Sequence, residues 1–174
     1  YLDEGYVKVK VGEPTATISP DRRFIYLSVP IDEGEQYTTG DVGFGGEVEL
    51  VDEEGKVLVD ESKLRSRIKV KKDETFSRTK LLETIQAVTD AYRDQGYAYA
   101  NVTPNYQIRD GERIVDLQLD IQRGEIVYFG RIEVVGNTRT RDKVIRREMN
   151  IFEGEKFSGS GINSSRARIF QLGF

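Results

Sequence analysis

A short junction recurs along this chain. A stretch that reads as the polar end of a helix runs into a glycine, an aromatic residue follows, and strand-like alternation resumes. The three copies are YLDEGY at 1–6, YRDQGY at 92–97 and FQLGF at 170–174. Their glycines, Gly5, Gly96 and Gly173, stand 91 and 77 residues apart. Two further landmarks keep the same order. IDEGEQYTTGDV (31–42) is similar to IQRGEIVYFGRI (121–132), with Gly34 and Gly124 90 residues apart, and DETFS (73–77) is similar to GEKFS (154–158). Ordered self-similarity of this kind makes the fold a series of equivalent units. At each junction, glycine suits the left-handed residue that commonly ends a helix, because it carries no Cβ penalty. The aromatic that follows (Tyr6, Tyr97, Phe174) is placed to pack back on the helix end.

One unit is complete, at about residues 35–123. YTTGDVGF (37–44) reads as a first strand. DESKLRSRIKV (60–70) reads as a short helix, with Leu64 and Ile68 one turn apart. In 77–95, Leu81, Ile85, Val88 and Tyr92 form a single apolar stripe, the mark of an amphipathic helix, and Ser77 is its expected N-cap. Asp110-Gly111 then marks a turn between two strands in 104–124. The second of these is expected to bury Ile114, Leu117, Leu119 and Ile121, with Val115 nearer its end. In the partial first copy, ATIS, PDRR and FIYLSVPI (16–31) read as strand, turn, strand. EVELVDEEGKVLV (47–59) reads as an added hairpin around Glu54-Gly55, or in part as the lead-in to the helix that follows. The unit is therefore β-α-α-β-β, an α+β fold with two helices on one face of a three-stranded mixed sheet. Residues 1–34 are the end of one module, 35–123 a whole module, and 124–174 the start of the next.

Composition removes most catalytic chemistry. The chain of 174 residues has no histidine, which excludes a Ser-His-Asp triad or histidine-metal site, and no cysteine, which excludes disulfides and thiolate sites. GFGG (43–46) is not a dinucleotide fingerprint, and no phosphate loop occurs. The acidic run in VDEEG (51–55) lacks the alternating ligands of a calcium loop and reads as a solvated turn. Lys and Arg total 26 against 30 Asp and Glu, a net charge of −4 that does not favour nucleic acid. No apolar run reaches the ~20 residues of a spanning helix. The chain reads as a non-enzyme with no cofactor and no metal. A small carboxylate-dependent enzyme is the distant alternative, and it would require converging Asp or Glu side chains.

The order of elements and their junctions resemble POTRA domains, the polypeptide-transport-associated modules. YFGRIEVVGNTRTRDKVIRREMNIFEGEKF (128–157) is similar to the last POTRA module of the BamA family of outer-membrane barrel assembly proteins. The matching residues are the Arg131-Ile132 strand, Gly136-Asn137, Thr140 to Lys143, and VIRREM (144–149). GYAYANVTP (96–104) resembles the preceding module. On this resemblance the chain spans the end of a third module, a fourth, and the first part of a fifth. The resemblance implies a periplasmic address at the outer membrane and a C-terminal β-barrel outside these residues. It also implies unfolded outer-membrane proteins and accessory assembly lipoproteins as partners. A related secretion or translocation transporter shares the fold and is the nearer alternative.

Two surfaces are the candidate sites. The strand after the Gly-aromatic junction, Asn105, Tyr106, Gln107, Ile108 and Arg109, is expected at a sheet edge, where an extended polypeptide can add through main-chain hydrogen bonds. Ala16 to Ser19 is its counterpart in the first copy. In RTRDKVIRRE, Val144, Ile145 and Met149 are expected to face the core, with Phe152 continuing that side. Arg146, Arg147, Glu148 and Glu153 are left for a partner, which the resemblance identifies as a lipoprotein. Tyr97, Tyr99 and Tyr106 are expected to pack with their hydroxyls wet, and Gly130 and Gly136 to bend and end the first strand of the last copy. The first copy holds strands without helices and the last holds helices without closing strands. Self-association through these complementary ends is therefore expected.

Overall fold

Alternating and helical patterns occupy separate lengths of this chain, and its computed structural model, which describes residues 1–138 and 140–173, follows them. A one-turn 3-10 helix at Leu2–Glu4 precedes β1 (Lys10–Val11), β2 (Thr15–Ile18), β3 (Ile25–Ser28) and β4 (Ile31–Asp32). Next come β5 (Thr38–Gly46), β6 (Leu50–Val51), β7 (Val57–Val59), α1 (Glu61–Arg65) and α2 (Arg78–Arg93). The chain continues through β8 (Asn101–Arg109), β9 (Ile114–Gln122), α3 (Asp142–Arg146) and α4 (Gly159–Gln171). The main sheet has the order β5-β9-β8, and helices pack against it in an α+β arrangement. Smaller antiparallel pairs join β1 with β4, β2 with β3, and β6 with β7.

Two compact units gather the contacts. One comprises 1–42, 69–83 and 106–117, and the other 43–68, 84–105 and 118 onward. In the first, Tyr37, Val70, Phe76, Leu81, Val115 and Leu117 are buried. Its β2–β3 hairpin pairs Ala16 with Leu27 and Ile18 with Ile25, which puts four apolar side chains on one face. That face is bare: Ile18, Ile25 and Leu27 are each about two-thirds exposed. In the second unit, Leu64, Val88, Tyr92, Leu119 and Ile121 are almost fully buried. The β6–β7 hairpin forms as read, and its turn is closed by the Asp52 carboxylate, which accepts the amides of Glu54 and Lys56.

Both helices of the complete repeat have local causes. Asp60 caps α1 by accepting the Lys63 amide at 2.7 Å, and Leu64 is its buried anchor. The helix ends at Arg65, so Ile68 is half-buried beyond it rather than on its next turn. Ser77 caps α2 through the Lys80 amide at 3.3 Å. Leu81, Val88 and Tyr92 are buried along the stripe, with Ile85 half-buried.

Two expectations fail on strand geometry. In β9 the buried residues are Val115, Leu117, Leu119 and Ile121, while Ile114 lies out of that set. A strand alternates strictly by two, so Ile114 cannot share a face with Leu117. The expected strand around Arg131-Ile132 does not form. Among the described residues of this segment only Tyr128 makes a bridge, to Lys156, and 129–138 is irregular. A strand exists by pairing, and side chains serve this backbone instead: Glu153 accepts the Ile132 amide at 2.8 Å and Arg146 donates to its carbonyl at 2.8 Å. Gly130 and Gly136 therefore do not bend and end a strand, although Gly136 has φ +78°. Phe152 is also 57% exposed rather than core-facing.

The Tyr92 hydroxyl donates to the Val48 carbonyl at 2.6 Å, and burial pushes its phenol up to about 12. Since that lies above the ~10 of free tyrosine, the stabilisation is intact below about pH 10 and is lost as pH rises through about 12. We expect Tyr92→Phe to lower stability by about 1–2 kcal/mol at neutral pH, because the Val48 carbonyl loses its donor. The variant should also shed part of the alkaline sensitivity, which urea titrations at pH 7 and above pH 10 would measure.

Candidate functional site

All five predicted edge residues fall in β8, which forms one edge of the main sheet and is flanked by β9 on its other side. Alternation gives this segment two faces. Arg109 points to the face that carries Asp116, binding it with its Nε at 2.8 Å and a terminal nitrogen at 3.1 Å. Asp116 also accepts the Asp41 amide at 2.8 Å, and Lys72 pairs with Asp41 at 2.7 Å. The Asp41 amide and then Arg109 hold the Asp116 carboxyl below the usual carboxylate range. Tyr106 and Ile108 point the other way. With Leu2, Val7, Phe76, Arg78 and Val115 they line an apolar groove of about 320 Å³. Tyr106 is half-exposed and Tyr99 is 79% exposed, so only Tyr97, half-buried, fits the expected packing.

The turn after β8 carries a polar cluster that the sequence reading missed. Asp110 accepts from Lys8 and from the Tyr37 hydroxyl at 2.9 Å. Lys8 and then Tyr37 lower the Asp110 carboxyl, and the same contact with Asp110 raises both the Lys8 ammonium and the Tyr37 phenol.

The repeated junction is a joint whose hydrogen bonds recur atom for atom. The Gly5 carbonyl accepts the Tyr37 amide at 2.9 Å, and the Gly96 carbonyl accepts the Val127 amide at 2.9 Å. The Tyr37 carbonyl accepts from Phe76 at 3.0 Å, and that of Val127 from Phe157 at 2.8 Å. An aspartate two residues before each glycine reaches the helix that follows. Asp3 accepts the Thr79 amide of α2 at 2.6 Å, and Asp94 accepts the Ser160 amide of α4 at 2.8 Å. The preceding serines, Ser77 and Ser158, take the next amide in each helix, those of Lys80 and Gly161. Glycine is required at this point. Gly5 has φ +84°, and a Cβ there would sit 2.7 Å from the Tyr37 carbonyl oxygen. Gly96 and Gly173 also have positive φ, while the aromatic of the third junction, Phe174, lies outside the described residues. Their fixed place in YLDEGY and YRDQGY marks the two aspartates as equivalent without naming the helix each one caps.

In the last copy, Ile145 is buried and Val144 and Met149 are half-buried, as their spacing predicts. Arg146 is tied to Asp142 at 2.7 Å, approaches Glu153 at 3.8 Å, and shares with Glu153 the task of holding the Ile132 backbone. Arg147 pairs with Glu148 at 3.0 Å. Beside them an apolar depression of about 520 Å³ is lined by residues including Val134, Val135, Met149 and Ile169, with Val135 83% exposed. Among the described residues no cluster of acidic side chains is placed to hold a metal ion.

The POTRA family, described as a surface antigen variable number repeat, matches residues 46–124 and 127–174. The outer membrane protein assembly factor BamA of Nitratidesulfovibrio vulgaris is 32% identical over 97% of this chain and 20% of its own length. BamA of Neisseria meningitidis serogroup B is 22% identical over 100% of this chain and 21% of its own length. The chain thus spans about a fifth of the length of these curated relatives. The crystal structure of POTRA domains 3–5 of Haemophilus influenzae BamA superimposes with a TM-score of 0.81, at 19% identity, over 99% of this chain and 65% of that one.

The Thr79 amide, followed by the Thr79 and Ser77 hydroxyls, holds the Asp3 carboxyl below its ordinary value. This stabilisation is present above the ~3.9 of a free aspartate and is lost as pH falls through the lower folded value. We expect Asp3→Asn to lower the thermal midpoint at neutral pH and to remove that acid-sensitive part. The Thr79 amide should exchange with solvent several-fold faster, read by hydrogen exchange on the labelled chain.

Proposed function

The chain belongs to the POTRA family, in the form carried by BamA-type outer-membrane assembly factors, and from that premise we propose that it is a periplasmic, non-enzymatic scaffold for polypeptides bound for the outer membrane. The observation that carries this reading is the edge position of β8, with Asn105 to Arg109 open on the side away from β9. Main-chain pairing at such an edge depends little on sequence, which suits one binder serving many unfolded barrel substrates. The recurrence of one joint at Gly5 and Gly96 supports a division into modules at 1–34, 35–123 and 124–174. The full-length protein would hold this scaffold at the outer membrane through a β-barrel beyond these residues.

An accessory lipoprotein is proposed to dock at α3. Arg146 and Glu153 line a polar depression that shares Val134 and Val135 with the apolar one, which sets charge beside an apolar patch as in a protein interface, and Arg147 and Glu148 are proposed to extend it. The bare face of the β2–β3 hairpin supports self-association of the chain, since exposed apolar strands recruit partners.

A titration of the isotope-labelled chain with an unfolded outer-membrane-protein peptide tests the central reading. Amide shifts should concentrate at 105–109, with the remaining amides unmoved. Silence at 105–109 in an intact fold would overturn it and direct attention to Arg146 to Glu153. For self-association, sedimentation velocity should show a concentration-dependent larger species that Leu27→Ser abolishes; a clean monomer over a wide concentration range would refute it.

A further inference from the structure

The β8 edge is bordered by two unlike environments. On one face lie Tyr106, Ile108 and the apolar groove that reaches Val7 and Phe76. On the other lie Arg109, Asp116, Asp41 and Lys72, a set of paired charges open to water. A strand added along β8 continues the sheet, so its side chains alternate between these same two environments. Each residue facing the groove side meets Tyr106 or Ile108 as its cross-strand neighbour, and each residue facing the other side meets Gln107 or Arg109.

We propose that the β8 edge selects an extended segment whose apolar and polar side chains alternate by two, with the apolar set directed into the groove and the polar set over Arg109. This rests on the strand-addition reading above and adds a sequence preference to it. An added strand of uniform polarity satisfies the main chain yet mismatches one face. A strand of alternating polarity matches both, and that pattern is what the strands of an outer-membrane barrel carry before they reach lipid. The edge would thereby distinguish membrane-barrel strands from unfolded polypeptide at large by periodicity rather than by any residue motif.

Two capped peptides of identical composition test this on the labelled native chain, one alternating apolar and polar residues and one carrying the same residues in two blocks. The alternating peptide should shift the amides of 105–109 with a Kd about tenfold lower, the change expected from seating one further apolar side chain. Ile108→Ser should erase that preference by weakening the alternating peptide about tenfold, to the affinity of the blocked one; a preference that survives the substitution would overturn the proposal. Equal affinity of the two peptides at 105–109 would overturn the periodicity proposal and leave strand addition standing. Absence of shifts at 105–109 with either peptide would overturn strand addition itself, and the periodicity proposal with it.

Discussion

The joint at Gly5 and Gly96 is the interaction on which the rest of the structure depends. Helix N-termini leave amides unpaired, and here two amides of each long helix are satisfied by a serine of its own and an aspartate from the preceding junction. The aspartate also sits where the helix dipole favours negative charge. The carbonyl of the adjacent glycine begins a main-chain relay to Tyr37 or Val127 and then to Phe76 or Phe157. One tight turn thus ends one element, caps another and aligns the strand between them. A charge-assisted bond to a backbone amide is short and directional, so the device fixes orientation as well as adding stability. Its recurrence explains why a repeat with weak residue identity keeps these few positions.

The edge of the main sheet takes its character from the same arrangement. Phe76 leads into the capped helix, and Leu2 and Val7 flank the joint glycine, so the elements the joint aligns also line the groove beneath Tyr106 and Ile108. Lys8, Tyr37 and Asp110 add a polar tie on the turn that follows β8. The edge is therefore backed by held structure rather than by a free loop.

Much of this was legible in the residues. The Leu81-Val88-Tyr92 stripe, the Ser77 cap, the Asp110-Gly111 turn and the glycine junctions each have a local cause, and each stands where it was read. The misses share a different origin. Val115, not Ile114, joins the buried set of β9, because strict two-residue alternation overrides side-chain hydrophobicity. The Arg131-Ile132 segment has the composition of a strand, but strand formation is a property of pairs. Its backbone is held by Arg146 and Glu153, two side chains that composition alone presents as free surface charges.

The sequence by itself determined the repeat, the order of elements and the family, because these follow from periodicity, turn residues and capping residues that act over a few positions. Tertiary structure alone decided that Asp3 and Asp94 cap helices far along the chain, that Lys8 meets Asp110, and that β8 lies between an apolar groove and a charged face. Those outcomes depend on which distant segments become neighbours. No local pattern encodes that choice, since the same aspartate on an isolated helix end would be a solvated charge.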